Sequence, residues 1–409
     1  MRYDYLIIGG GIAGVTAAET IREEDAQATI ALVSEETHPL YSRVMLPRYL
    51  KRKIQREQLF LRTEHQFTQK SIDLRLAQEV SFVDTKRGEI GLVNRAILGF
   101  KKLLIASGGR VKSIPENLRG EFSYRLQTLE DADRLFKNLY KITSPIVVGS
   151  SLISLELLEI FAVHKTPPVV LVRGPHFFRE FLDASGAEIL HANFRAHGID
   201  AQYNTTVTSA EPKDNMLKVL TSRYSEIICD AMAFGIGIER NIGFLHGSGI
   251  ECGKAGVKTN EFLETNAEGV FAAGDVAEFQ DVISGKQHVV GTWTNAFLQG
   301  KCAGLNMVGK REIFKRVSSY SITNLGFHIT ILGECDGEGV EDIIRIDSAH
   351  RQYERFFLKD GIICGTALIN RFPDKPILAK LIETRTPVGE YAEQLRDFRF
   401  DIGSIPVIQ

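Results

Sequence analysis

The first 228 residues of this chain contain no cysteine. The five that exist are Cys229, Cys252, Cys302, Cys335 and Cys364, and no two form a C-x-x-C pair. Neither a zinc ribbon nor an iron–sulfur cluster is therefore indicated, no metal site is expected, and each thiol reads as a small buried apolar residue. An excess of one charge is also missing. The 49 Lys and Arg against 51 Asp and Glu leave a net charge of -2, which gives no field favouring nucleic acid or an anionic membrane. No apolar run is long enough to span a bilayer. The first residues run straight into a glycine turn and are not expected to be a signal peptide, so a cytoplasmic location is the default expectation. No low-complexity segment interrupts the chain. What remains is ordinary for a globular protein, 44% apolar and 24% charged, and 409 residues exceed one core, so two or three domains are expected.

The most informative stretch is Tyr5-Leu6-Ile7-Ile8-Gly9-Gly10-Gly11-Ile12-Ala13-Gly14. Tyr5 to Ile8 is long enough for one buried parallel strand. Gly9, Gly11 and Gly14 then follow the spacing G-x-G-x-x-G. The first glycine permits the tight turn, the second lets a pyrophosphate approach the backbone, and the third lets the next helix lie close to the sheet. That helix, Ile12 to about Ile21, aims its N-terminal N–H groups at the phosphate. A second strand, Thr29 to Val33, precedes Glu35 and Glu36, where an acid accepts hydrogen bonds from an adenosine ribose.

Beyond it, His38 to Arg43 reads as a loop and Lys51 to Lys70 as a basic, exposed stretch. Alternation over residues 72–105 predicts a small antiparallel sheet inserted in the first unit, ended by a buried strand, Lys102 to Ile105. A second strand–glycine–helix unit starts at Ile146-Val147-Val148-Gly149, with a helix from about Leu152 to Val163 and a strand from Val169 to Val172. Asp183 to His197 has helical spacing, Ile227 to Met232 reads as one strand, and Thr292 to Met307 as a helix. Near the end, Tyr353 to Leu358 and Ile362 to Ile369 flank the hairpin signal Lys359-Asp360-Gly361, and Asp374 with Pro376 opens a short helix, which together suggest a separate α+β domain.

Two nucleotide-binding units, the second inserted in the first, resemble the FAD- and NAD(P)-dependent pyridine nucleotide–disulfide oxidoreductase superfamily. The glycine turn matches its FAD fingerprint, and Phe271-Ala272-Ala273-Gly274-Asp275 is similar to its second FAD motif. Ile105-Ala106-Ser107-Gly108-Gly109 and Phe234-Gly235-Ile236-Gly237 are similar to the glycine-ended strands that join its domains. Pro39-Leu40-Tyr41-Ser42-Arg43 through Leu46-Pro47-Arg48 resembles the loop P-x-Y-x-R-x-x-L-x-K of the ferredoxin, rubredoxin and nitrite reductase branch, with Arg48 at the usual lysine. Trp293-Thr294-Asn295-Ala296 with Gln299-Gly300 resembles that branch's W-x-N-A-x-x-Q-G helix.

The resemblance implies an α/β fold of two Rossmann-like, three-layer ββα domains plus a C-terminal α+β domain. The FAD-binding domain would span 1–112 and 233–311, the NAD(P)-binding domain 113–232 and the C-terminal domain 312–409. It assigns to FAD the residues Gly9, Gly11, Ile12, Ala13, Gly14, Glu35, Glu36, Arg43, Arg48, Val80, Ala106, Ser107, Gly108, Gly274, Asp275, Thr292 and Trp293. To NAD(P) it assigns Gly149, Ser150, Ser151, Leu152, Ile153, Glu156, Arg173 and Gly235. With Ser42, Arg43 and Val44 where relatives carry redox cysteines, dithiol exchange is unsupported. The implied activity is electron transfer between NAD(H) or NADP(H) and an iron–sulfur protein by way of FAD, with no catalytic side chain. The second fingerprint carries Ser151 and Ser154 in place of its later glycines, which either weakens phosphate binding or adds hydroxyl donors. Arg173 stands where NAD-specific relatives have an acid and can meet a 2′-phosphate or be a surface cation. The alternative is an FAD-holding subunit with a vestigial nicotinamide site, acting as a scaffold.

Overall fold

A computed structural model describes residues 1–408. It divides into two compact units, one formed by Met1–Val44, Arg56–Arg110 and Ile238–Arg316, the other by Met45–Gln55, Val111–Gly237 and Val317–Gln409.

The first unit is built on a sheet ordered Ile72–Arg75, Ile30–Val33, Arg2–Ile8, Ile97–Ile105, Glu89–Leu92, Val80–Asp84. The long strand Ile97–Ile105 serves two neighbours in turn. Its start pairs antiparallel with Glu89–Leu92, and its end pairs parallel with Val270–Ala272, which returns from far along the chain. Both sheet faces are covered, so Leu6–Ile8 at the end of the first strand and all of Ile30–Val33 are apolar and buried. On one face lie the helices Ile12–Glu24 and Trp293–Met307. They approach closely because a Cβ on Gly300 would stand 2.3 Å from the Ala13 carbonyl oxygen, and one on Gly304 3.0 Å from that of Ala17. The helix Ile12–Glu24 is tied down by Arg22, which donates to the carbonyls of Asp25, Ala26, Ala28, Lys70 and Ser71 at 2.7–3.1 Å.

The second unit holds a five-stranded parallel sheet ordered Asp200–Tyr203, Val169–Val172, Pro145–Val148, Ala231–Phe234, Ser123–Tyr124. The helix Leu152–Val163 is apolar apart from Ser154, Glu156 and Glu159, with half of its residues buried, and Asp183 caps the helix Ala184–Ala196 by accepting from the Gly186 N–H at 2.9 Å. A five-stranded antiparallel sheet, ordered Ser319–Asn324, Phe327–Gly333, Ile362–Ile369, Gln352–Lys359, Glu341–Asp347, carries the helix Lys375–Thr384. In it Arg345 and Glu354 are cross-strand partners, both fully buried, joined by a 2.5 Å hydrogen bond. Arg345 also donates to the carbonyls of Asp397 and Phe400 at 3.1 and 3.0 Å, which fastens the last turns of the chain to the sheet.

Four expectations need correction. Cys229, Cys302 and Cys335 are buried as expected of small apolar residues, but Cys252 is exposed and Cys364 only half-buried. Residues 72–105 are not a separate antiparallel sheet: Ile72–Arg75 pairs parallel with Ile30–Val33, and the antiparallel arm continues the same sheet. Period-two alternation marks a half-buried strand without revealing its neighbour. Ile227 to Met232 is two strands, Glu226–Cys229 in a three-stranded antiparallel sheet and Ala231–Phe234 in the parallel one, because an apolar run hides the break at Asp230. Lys51 to Lys70 is not simply exposed: Leu59 and Phe67 are buried, the helix Glu64–Gln69 begins on a Thr63–Gln66 capping box, and the Lys51 side chain is only 6% exposed.

Candidate functional site

In the first unit, the strand Arg2–Ile8 delivers the chain to Gly9 at φ +117°, a conformation that favours glycine. A Cβ there would stand 2.1 Å from the Ala106 carbonyl oxygen, and one on Gly14 would stand 2.0 Å from that of Gly9. Both glycines are demanded by backbone contact. Gly11 differs: its backbone is ordinary and extended, at φ -75° and ψ -177°, and a Cβ would meet nothing within 4 Å. The protein itself does not need a glycine there. The helix Ile12–Glu24 has no side-chain cap and no acid in its first turn, so its N-terminal donors are left for an outside acceptor. An open, uncapped helix N-terminus behind a glycine turn is the cradle a pyrophosphate requires.

A small cleft beside this turn is lined by Gly10, Gly11, Glu36, Tyr41, Arg43 and Trp293, among others. Glu36 accepts from the Tyr41 hydroxyl at 2.7 Å and from Arg43, and Arg43 donates to the same hydroxyl at 2.9 Å. Of the two acids after the second strand, Glu36 is thus the one in the cleft, and Glu35 is exposed. The second motif is held by Gln299, fully buried, whose Oε1 accepts from the Gly274 N–H at 2.7 Å. Gly274 has φ +81° and opens the short turn Gly274–Val276 that presents Asp275. Burial pushes the Asp275 carboxyl up, against the pull of the Arg240 and Arg43 cations.

Of the other residues assigned to FAD, Ile12 and Ala13 open the first helix, with Ala13 packed under Gly300. Ala106 is buried, Ser107 donates to the Asn241 carbonyl at 2.7 Å, and Gly108 stands at φ +61° with open space beside it. Thr292 caps the helix Trp293–Met307. Val80 is half-buried and packs on the core behind the sheet. Arg48 falls in the second unit, exposed on the short helix Leu46–Leu50.

The second glycine turn is built differently. Gly149, at φ +112°, meets the Gly235 carbonyl as Gly9 meets that of Ala106. At the following positions, however, the serines cap each other. The Ser151 hydroxyl accepts from the Ser154 N–H, and the Ser154 hydroxyl accepts from the Ser151 N–H, both at 3.2 Å. Ser154, fully buried, also donates to the Gly235 carbonyl at 3.1 Å. Two N–H donors that stay free in the first turn are therefore already taken here. Ser150 and Leu152 are half-buried, and Ile153 and Arg173 are exposed.

Glu156 is more than the solvated charge a bare helical glutamate suggests. Lys51 pairs with Glu159 and lies 3.7 Å from Glu156 Oε2, which has no hydrogen-bond partner. Asn324 and the Leu325 N–H hold Glu159 at 3.1 and 3.2 Å. One lysine thus serves two buried carboxylates. Burial pushes the Glu156 carboxyl up to about 7, and Glu159 adds to the rise. A carboxyl raised from near 4.5 favours the folded state fully below that value and loses its contribution as pH climbs through about 7. Stability should therefore fall by up to about 3 kcal/mol from acid to pH 8 on account of this group. Urea unfolding at pH 5.5 and 8, which span about 2 kcal/mol of that fall, checks it, and Glu156→Gln should flatten the difference.

Lys51, Glu159 and Arg240 are the site-region residues that motif reading does not assign, and Gln299, singled out only as a motif letter, gains its role from the bond to Gly274. The carboxylates at 156 and 159, three residues apart on one helix face, are a sequence signal for a shared cation.

Two glycine turns, each leaving a parallel strand pair, one open and one self-capped, define a two-nucleotide-fold α/β protein. The family model described as "Pyridine nucleotide-disulphide oxidoreductase" matches residues 3–300, and the chain belongs to that family. Among curated relatives it is 28% identical over 385 residues to apoptosis-inducing factor 3 of Mus musculus, covering 92% of this chain and 62% of that protein. It therefore spans less than two thirds of that relative's length. It is 25% identical to NADH-dependent phenylglyoxylate dehydrogenase subunit epsilon of Aromatoleum evansii, covering 93% and 92%. To the ferredoxin–NAD(+) reductase component of the biphenyl dioxygenase system of Paraburkholderia xenovorans it is 26% identical, covering 96% and 95%. In fold it resembles putidaredoxin reductase in its covalent complex with putidaredoxin, with a TM-score of 0.90, 23% identity and coverage of 98% and 97%. It also resembles NADH:rubredoxin oxidoreductase from Clostridium acetobutylicum, with a TM-score of 0.78, 20% identity and coverage of 95% and 96%. No helix among the described residues is long and apolar enough to cross a membrane, and no group of three or more His, Cys, Asp or Glu among them could hold a metal ion.

Proposed function

We propose that this chain is an FAD-dependent oxidoreductase that passes electrons between a nicotinamide nucleotide and an iron–sulfur carrier or iron–sulfur partner subunit. The observation that carries the reading is the open first turn: Gly11 has free space where a side chain would sit, and the helix behind it is uncapped. The family supports it, as do relatives whose names include ferredoxin–NAD(+) reductase. In this reading residues 1–112 and 233–311 hold FAD, 113–232 take NAD(H) or NADP(H), and 312–409 form the third domain. The helix N-terminus and Arg43 bind the diphosphate, Glu36 the adenosine ribose, and Asp275 the ribityl chain, positioned by Gln299. Bound FAD would supply the chemistry, hydride exchange with a nicotinamide and single electrons to an iron–sulfur centre. The side chains bind, orient and exclude water, and none acts as a general base. The iron–sulfur centre sits on a separate chain. Five cysteines without a C-x-x-C pair suit the reducing cytoplasm proposed for the protein.

Anaerobic photoreduction of the FAD-loaded protein, followed by NAD+ or NADP+, tests this. Reoxidation of the flavin by either nucleotide is expected, and its absence with both would leave FAD in a scaffold. That second reading is favoured by the mutual capping of Ser151 and Ser154. The two part at Ser151→Gly. In the electron-transfer reading, freeing the Ser154 N–H tightens NAD(P)H binding several-fold and lowers stability by about 1 kcal/mol. Fluorescence titration of the reduced nucleotide would show it, whereas a vestigial site binds neither form.

A further inference from the structure

Within the first unit, one charged side chain remains unexplained by the motifs. Arg240 ends the short strand Ile238–Arg240. Its Nε donates to the Ala255 carbonyl at 3.3 Å, while its Nη1 is buried with no hydrogen-bond partner. A buried guanidinium donor left unpaired is costly, and native proteins rarely keep one without an acceptor. The backbone around it is fixed. Asn241 donates its N–H to the Gly108 carbonyl at 3.1 Å and its Nδ2 to that of Ser107 at 3.2 Å, and accepts from the Ser107 hydroxyl at 2.7 Å. A Cβ on Gly109 would stand 2.6 Å from the Glu239 carbonyl oxygen, so the two chain segments touch. Arg240 is thereby clamped beside the Ser107–Gly108 turn, and its charge, like that of Arg43, acts on the Asp275 carboxylate. Arg43 already has Glu36 and the Tyr41 hydroxyl, but Arg240 has only a backbone oxygen.

Resting on the reading of this unit as the FAD-holding one, we propose that Arg240 is a further cofactor-binding residue whose free guanidinium nitrogen donates to an oxygen of bound FAD. That acceptor is either a phosphate oxygen or a flavin carbonyl, and the two differ in what they do to the cofactor's potential. A charge-assisted bond to phosphate contributes affinity alone. One to the ring also stabilises the reduced form, which carries more negative charge.

The test compares wild type, Arg240→Met and Arg240→Lys as apoproteins titrated with FAD, with melting temperature and midpoint potential as further readouts. Arg240→Met is expected to weaken FAD binding ten- to hundred-fold, and Arg240→Lys less, with the apoprotein melting temperature unchanged or higher. A potential equal to wild type assigns the phosphate; a lowered one assigns the ring. FAD affinity within twofold of wild type in Arg240→Met overturns the proposal while leaving the FAD reading intact. So does an apoprotein melting temperature that falls in step with affinity, since Arg240 would then be structural. If Arg240→Met does not fold, Arg240→Lys decides alone by the same twofold criterion. A wild-type protein that takes up no FAD sinks both readings.

Discussion

Gly11→Val is expected to leave the protein folded but unable to keep FAD, whereas Gly9→Val is expected to unfold the first unit. Two residues apart, these glycines exist for opposite reasons. At Gly9 the backbone has φ +117°, and a Cβ would collide with the Ala106 carbonyl at 2.1 Å. The neighbouring strand cannot retreat without breaking its pairing with Arg2–Ile8, so the cost should exceed about 4 kcal/mol. At Gly11 the backbone is one that any residue adopts, and the space beside it is empty. Added methyl groups would fill only the volume the diphosphate needs. Gly11→Val should therefore keep the apoprotein melting temperature within about 2 °C and weaken FAD at least about a hundredfold, on the scale of a lost set of phosphate contacts. Calorimetry of the apoprotein and an FAD titration, run on both variants, check the pair. Normal FAD binding by Gly11→Val would remove the main support for the cradle.

The second large effect is expected far from any glycine turn. Arg345→Met should destabilise the protein by about 3 kcal/mol, because it leaves the buried Glu354 carboxylate with only Arg371, 3.7 Å away, as a cationic partner. It also frees the carbonyls of Asp397 and Phe400, so the end of the chain should become sensitive to proteolysis. The double variant Arg345→Met with Glu354→Leu should recover most of the loss, since burying two charges costs about what their attraction returns. Denaturant unfolding of the single and double variants separates these outcomes. Equal destabilisation in both would mean that the bonds to Asp397 and Phe400, rather than the stranded charge, carry the effect.

Much of this architecture is legible in the sequence, where local chemistry and fold agree. The helix Leu152–Val163 and the strand Val169–Val172 lie where apolar periodicity puts them, and Asp183 caps its helix as its residue type suggests. The hairpin about Asp360-Gly361 joins the two strands predicted for it. What could not be read is pairing between distant segments. Nothing local says that Val270–Ala272 docks on the end of Ile97–Ile105, or that Ile72–Arg75 joins a parallel edge. The candidate site divides in the same way. Gly9, Gly11 and Gly14 announce themselves by spacing. The capture of Ser151 by Ser154 depends on hydroxyl rotamers, and the burial of Lys51 on a long-range fold that a basic stretch conceals.

The split course of the first unit has a consequence for biosynthesis. Its opening turn emerges from the ribosome early, but the strand Val270–Ala272 and the helix Trp293–Met307 that complete it come more than two hundred residues later. Until then the second half of Ile97–Ile105, paired on one side with Arg2–Ile8, keeps its other side as an open edge available for mispairing with other chains. Release factors or stalled ribosomes that end synthesis near residue 237 would leave this half-built layer without its partner strand. In the FAD-holding reading, cofactor uptake is thus a late event in the life of the polypeptide, so FAD can protect the completed unit but not the nascent chain.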